Sequence, residues 1–199
     1  MSARKPRQRR QQRTQQAILD AALRIISEKG VNQLSMRAIA EQIDYSPAGL
    51  YEYFGSKEEI VGLVCHEGHL RLRKHLLQVD AALPPPEHLQ ALGLAYIEFA
   101  LANPDHYLLM FTTPPNDSSH GGMQSDSSSF PVLLDSIRRG IEAGVFKERR
   151  EYGLSEMAYS AWALVHGIAM LRLTFLSGYP ADLDETDRQA LLAFGRGLM

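Results

Sequence analysis

Few side chains in this chain are placed for covalent chemistry. Cys65 and His69 stand four apart on one helical stretch, with His66 between them, a spacing that lets two side chains share a metal ion. Two ligands do not close a tetrahedral zinc site, so no metal site is assigned. Neither a phosphate-cradling glycine loop nor a nucleophile elbow is present, so no catalytic residue and no cofactor is assigned. Trp162 and His166, again four apart, lie in an apolar stretch where the imidazole can bond either a ligand or a neighbouring carbonyl. The other group of interest is non-covalent: cations, hydroxyls and small residues between Ser35 and Lys57, the types that reach base edges and phosphates.

Two short helices must position that group. Met36, Ile39, Ala40 and Ile43 recur at the spacing of one buried helix face, with Leu34 leading in. Ser46 is a cap for a second helix, Pro47 occupies its first position, and Leu50 and Phe54 anchor it. With Ile43-Asp44-Tyr45 as the turn, the pattern predicts a helix-turn-helix, whose second helix can enter a DNA major groove.

Leu34, Arg37, Ile39, Ala40, Ser46-Pro47, Leu50-Tyr51, Tyr53-Phe54 and Ser56-Lys57-Glu58-Glu59 together closely resemble the DNA-binding domain of TetR-type (TetR/AcrR) transcriptional regulators. The resemblance runs from about Thr14 to Leu63, and Trp162-Ala163-Leu164-Val165-His166-Gly167 resembles a motif of some C-terminal domains of the same family. One departure is Asp44, where the family usually has glycine; aspartate tolerates the left-handed conformation better than most residues. The resemblance implies a DNA-facing set of Ser35, Met36, Arg37, Ser46, Pro47, Ala48, Gly49, Tyr51, Tyr53 and Lys57. Within it, Arg37 is expected to reach a guanine edge, or else to sit in an intramolecular ion pair. Pro47, Ala48 and Gly49 are expected to approach the groove closely, and Tyr51, Tyr53 and Lys57 to touch phosphate. It further implies a homodimer on an inverted-repeat operator in double-stranded DNA, a small-molecule effector, and repression relieved by that effector. Phe99, Met110, Phe111, Trp162, His166 and Met170 are the residues expected to line the effector site, unless they are simply core. The alternative is an effector-independent DNA-binding or protein-interaction module.

Charge divides the chain. Residues 1–55 hold nine Lys/Arg against five Asp/Glu, while the remainder holds twelve against eighteen. That asymmetry suits a basic DNA reader joined to a domain that does not touch DNA. A single cysteine excludes an internal disulfide and fits a cytoplasmic protein. The stretch Met157 to Leu176 is interrupted by Ser160, His166, Arg172 and Thr174, and a charge in a span costs about 2.5 to 3.5 kcal/mol, so no membrane partner is expected.

The expected fold is all-α. Residues 1–13 form a disordered basic arm and 14–56 the helix-turn-helix domain. Residues 57–199 form a regulatory, ligand-binding and dimerisation domain. Within it, 57–79 is a connecting helix of roughly 33 Å and 114–129 a flexible loop. The last two helices are expected to make the dimer, with the small residues Ala158, Ala161 and Gly167 allowing close approach.

Overall fold

The computed structural model describes residues 6–112 and 128–199. Among them are nine α-helices, one 3-10 turn and no strand. Residues 114–127 of the expected 114–129 loop lie outside the described residues, as do residue 113 and residues 1–5. The described residues divide into two compact units, one of residues 6–68 and 108–112, the other of residues 69–107 and 128–199.

The first unit is built on α1 (Pro6–Lys29), α2 (Met36–Gln42), α3 (Pro47–Leu50) and the first half of α4 (Lys57–Leu76). Ile18, Ala21, Ala22 and Ile25 of α1 are closed from water against Leu34, Ile39, Ala40, Leu50, Phe54, Ile60 and Val64, with Leu109 completing the cluster. These residues fall at helical spacing on each element, which is why one core forms from four short pieces. Gly30 ends α1 at φ 83°, a left-handed exit that glycine adopts without a Cβ clash.

The arm is corrected for residues 6–13, which are helical and continue α1 two turns outward. Proline at the helix start loses no hydrogen bond, and arginine and glutamine are good helix formers. Once the buried part of α1 is nucleated, each added residue costs little. The connecting helix is also shorter than expected, closing at Leu76 through turn-type bonds from Gln78 N to His75 O and Val79 N to Leu76 O.

The second unit packs α5 (Pro85–Ala102), α7 (Phe130–Glu142), α8 (Leu154–Leu173) and α9 (Asp184–Leu198). It also takes the second half of α4 and the start of α6 (Pro104–Thr112). Leu89, Ile137, Phe146, Met157, Ala158, Ala161 and Leu198 form one apolar cluster in it. The end of α9 is tied down by Lys147 N–H donating to Leu198 O at 2.8 Å and Arg149 Nη2 donating to Gly197 O at 2.9 Å. Arg172, the charge that interrupts the apolar run of α8, joins α8 to α9 through Asp187 at 2.6 Å and Asp184 at 2.9 Å. No helix among the described residues is long and apolar enough to cross a membrane.

Candidate functional site

The DNA-facing candidates run from the N-cap of α2 through the turn and α3 to the first residue of α4. Ser35 caps α2, its Oγ accepting from Ala38 N at 3.1 Å, and Ser46 caps α3 in the same way from Gly49 N at 3.1 Å. Each cap satisfies one orphan amide and leaves the hydroxyl proton available as a donor. Between them Asp44 holds φ 54°, so the turn takes the left-handed conformation without glycine. Ser35, Pro47 and Ala48 are exposed, Tyr51 is 59% exposed at the C-cap of α3, and Lys57 is half-buried at the start of α4.

Arg37 projects into solvent and bonds Glu41 Oε1 through Nε at 2.9 Å. The pair is i,i+4 on one helix, with side chains 83% and 66% exposed, a setting in which ion pairs contribute only tenths of a kcal/mol. A guanine or a phosphate can therefore compete for the guanidinium.

Two candidates play other parts. Met36 is corrected: it lies inside the first unit's core, because the buried face of α2 that holds Ile39 and Ala40 also includes position 36. Gly49 is half-buried, and a Cβ there would stand 3.0 Å from the Tyr45 ring, so its role includes making room for that ring. Tyr45 in turn meets Tyr53 edge to face, centroids 6.3 Å apart. The hydrogen bond with Tyr53 raises the Tyr45 phenol above its ordinary range, while the Arg10 guanidinium pulls it the other way. The Arg10 charge therefore reaches the turn, an influence that no sequence spacing signals.

In the second unit a polar cluster lies between α5, α6 and α8, with Tyr96 and Tyr107 buried and Trp162 and His166 half-buried. Tyr107 Oη lies 2.8 Å from Nδ1 of His166 and 3.1 Å from Tyr96 Oη, which is itself 3.3 Å from the same nitrogen. Trp162 Nε1 donates to Tyr96 Oη at 3.4 Å, and the Trp162 and His166 rings sit 5.8 Å apart. Burial pushes Tyr96 up to about 12 and Tyr107 further, and it holds His166 below its ordinary range. The cluster is thus neutral at physiological pH: two phenols, an indole N–H and an unprotonated imidazole.

Trp162 and His166 were legible as a pair, but Tyr96 and Tyr107 were not assigned to the site. Their available signal was a phenol within an apolar stripe, which when buried must find a partner for its hydroxyl. The other proposed lining residues divide. Phe99 is buried against the His75 ring at 6.0 Å, and Met170 is half-buried in the second unit, whereas Met110 and Phe111 belong to the first. The second unit alone does not bring the six together.

A second polar group, also missed in the sequence, joins α5 and α7. His88 Nδ1 is 2.8 Å from Ser136 Oγ, and Arg139 Nη2 lies 2.9 Å from that nitrogen while its Nη1 donates to Ala81 O at 3.0 Å. Burial and then the Arg139 charge hold His88 below its ordinary range. Cys65 donates to Leu109 O at 3.8 Å, and burial pushes its thiol up to about 11, so it is not a thiolate at neutral pH. Among the described residues no three His, Cys, Asp or Glu side chains are grouped to hold a metal.

The small residues expected at a dimer face are corrected in part. Ala158 and Ala161 are enclosed by their own unit's core, on the face of α8 shared with Met157 and Val165, and so are not available to a partner. Gly167 does face open space, for a Cβ built there meets nothing within 4 Å.

This architecture, a capped helix-turn-helix followed by a larger helical unit, defines a class of DNA-binding regulator. The family model described as bacterial regulatory proteins, tetR family, matches residues 18–64. A second, described as tetracyclin repressor-like, C-terminal domain, matches residues 89–194. The chain belongs to the TetR family of DNA-binding transcriptional regulators. It is 28% identical over 94 residues to the uncharacterized HTH-type transcriptional regulator YobS of Bacillus subtilis, covering 47% of this chain and 49% of YobS. It is 36% identical over 77 residues to the HTH-type transcriptional regulator BetI of Rhizobium meliloti, 38% of either chain. The chain thus spans half or less of the length of these curated relatives. A solved structure of a protein of unknown function from Rhodococcus sp. RHA1 superposes with a TM-score of 0.79 at 26% identity, over 92% of this chain and 94% of that one.

Proposed function

We propose that the protein is a homodimeric repressor that occupies an inverted-repeat operator and is released by a small, mainly apolar effector with one or two hydrogen-bonding groups. The observation that carries the effector reading is the hydrogen-bonded cluster of Tyr96, Tyr107, Trp162 and His166. Four polar aromatic groups in an apolar helical unit give a neutral ligand hydrogen-bonding partners and a large apolar contact. Phe99 and Met170 of the same unit supply further apolar surface.

Support for the dimer comes from the outer face of α8. Tyr159, Ala163, Gly167 and Leu171 recur every four residues, with Tyr159 61% and Leu171 50% exposed. This is an i±4 ridge with a notch at Gly167, the relief that lets two helices pack closely across a two-fold axis. Such a dimer presents two readers to major grooves about one turn, or a multiple of one turn, apart.

The test is selection of DNA from a random pool by the purified protein, followed by a reporter driven from the recovered sequence. The expected results are a two-fold symmetric consensus and expression that rises when the protein is removed. A screen of small apolar carbonyl and phenolic compounds for release from that DNA should give hits that His166→Ala no longer answers. A consensus without symmetry, or hits indifferent to His166, would refute the corresponding part.

A further inference from the structure

The first turns of α1 lie beyond any core contact and are nonetheless ordered into helix from Pro6. At about 100° per residue, Arg7, Arg10, Arg13 and Arg9 fall within one arc of about 160°. Gln8, Gln11, Gln12 and Gln15 fall on the other side of the helix. All four arginines are exposed, and the chain has no acidic residue before Asp20. Arg7 and Arg10 continue the line of Ile18, Ala21 and Ile25, the face that packs on the helix-turn-helix, so they point to the side on which the reader lies. The charge of Arg10 reaching the Tyr45 phenol, at the end of the turn before α3, agrees with that side. The basic end of α1 therefore continues the face that carries the helix-turn-helix.

We infer that Arg7, Arg10 and Arg13 form a helical rail that binds the DNA backbone flanking the bases read by α3, adding phosphate contacts outside the half-site. Charge complementarity and continuity with the helix-turn-helix face both select duplex DNA as the occupant. Arg7 stands eleven residues before Ile18, so the rail extends roughly 16 Å beyond the core, enough to pass several phosphates. Guanidinium groups suit this task because each can bond two phosphate oxygens. The proposal rests on the DNA-binding reading of the reader.

The test uses the full chain and a mixed-sequence 40-bp duplex, because phosphate contacts do not depend on sequence. Binding is measured between 50 and 200 mM salt for the wild type and for two triple variants, R7Q/R10Q/R13Q and R7K/R10K/R13K. Glutamine keeps helix propensity, which circular dichroism checks. The glutamine variant should lower the slope of log K against log salt by about 2.7 per protomer, while the lysine variant keeps most of it. An unchanged slope in the glutamine variant would overturn the rail. Equal loss in the lysine variant would also overturn it, since charge would not be the cause. If the wild type bound no duplex at all, the DNA reading itself would fail, which is distinct from binding without a contribution from the rail.

Discussion

Tyr107 Oη lies 2.8 Å from Nδ1 of His166, a hydrogen bond that joins α6 to α8 inside the second unit with the Tyr107 side chain fully closed from water. Replacing the phenol by phenylalanine keeps the ring's shape but removes the shorter of two contacts to that nitrogen, leaving it the one from Tyr96 Oη at 3.3 Å. Tyr107→Phe should therefore cost about 1 to 3 kcal/mol of stability. Thermal unfolding checks this, and a variant as stable as the wild type would show that the bond contributes nothing net.

The two histidines with lowered values make the second unit sensitive to acid. His166 is lowered by burial, and His88 by burial and then by Arg139, each from an ordinary value of 6.5. A lowered folded value means that the unfolded chain binds more protons just below 6.5. Their contribution is thus complete above that pH and is lost as pH falls toward the folded values. Melting measured at pH 7.5 and 5.5 should drop more steeply for the wild type than for a His88→Gln/His166→Gln double variant. Parallel slopes would rule out these groups as the source.

Gly140 is a point of close approach in α7. A Cβ there would overlap the Phe146 ring, which is 2% exposed and held by Val145 N and Phe146 N both donating to Gly140 O at 3.0 Å. The ring cannot withdraw without dragging that turn. Gly140→Ala should cost about 1 to 3 kcal/mol, and much less when Phe146 is already alanine. Chemical denaturation of the four proteins of this cycle measures the coupling, and additive losses would separate the two residues.

What the sequence made legible was local. Helix existence followed from apolar spacing, and the caps at Ser35 and Ser46 followed from side-chain chemistry, because both are decided within a few residues. Met36 shows the competition between two signals: its spacing with Ile39 and Ala40 pointed to the core, its place in the family pattern to DNA, and burial prevailed. On α8 the apolar character all round gave no hint of which face was internal. Ala158 and Ala161 pack within their own unit, and the outward ridge is Tyr159 to Leu171. The Tyr96–Tyr107–His166 cluster is tertiary. Its members come from three helices and meet only after folding, so no period in the chain encodes it.

Asp44 gives a direct measure of turn strain. At φ 54° a Cβ crowds the following carbonyl, costing roughly 1 to 2 kcal/mol for ordinary residues and less for aspartate. Asp44→Gly should leave stability unchanged or raised, whereas Asp44→Val should lower it by about 1 to 2 kcal/mol. Urea unfolding of both variants decides the matter. A valine variant equal to the wild type would mean that the turn relaxes to another conformation.

Arg37 and Glu41 set the final prediction, because their 2.9 Å pair stands where the guanidinium is expected to meet DNA. The exposed pair stabilises α2 by only a few tenths of a kcal/mol, and a bidentate guanine contact discriminates by about 1 to 3 kcal/mol, so DNA should win the arginine. Arg37→Ala should then relax preference at one position of each half-site, while Lys57→Ala should weaken all sequences and lower the salt slope by about 1. Glu41→Gln replaces the charged competing acceptor by a weaker neutral one and removes an acidic charge from α2, and should tighten binding to selected DNA by a few-fold with little loss of stability. Fluorescence anisotropy on selected and scrambled duplexes compares these variants. Equal losses on both duplexes for Arg37→Ala would reassign that side chain from a base to a phosphate.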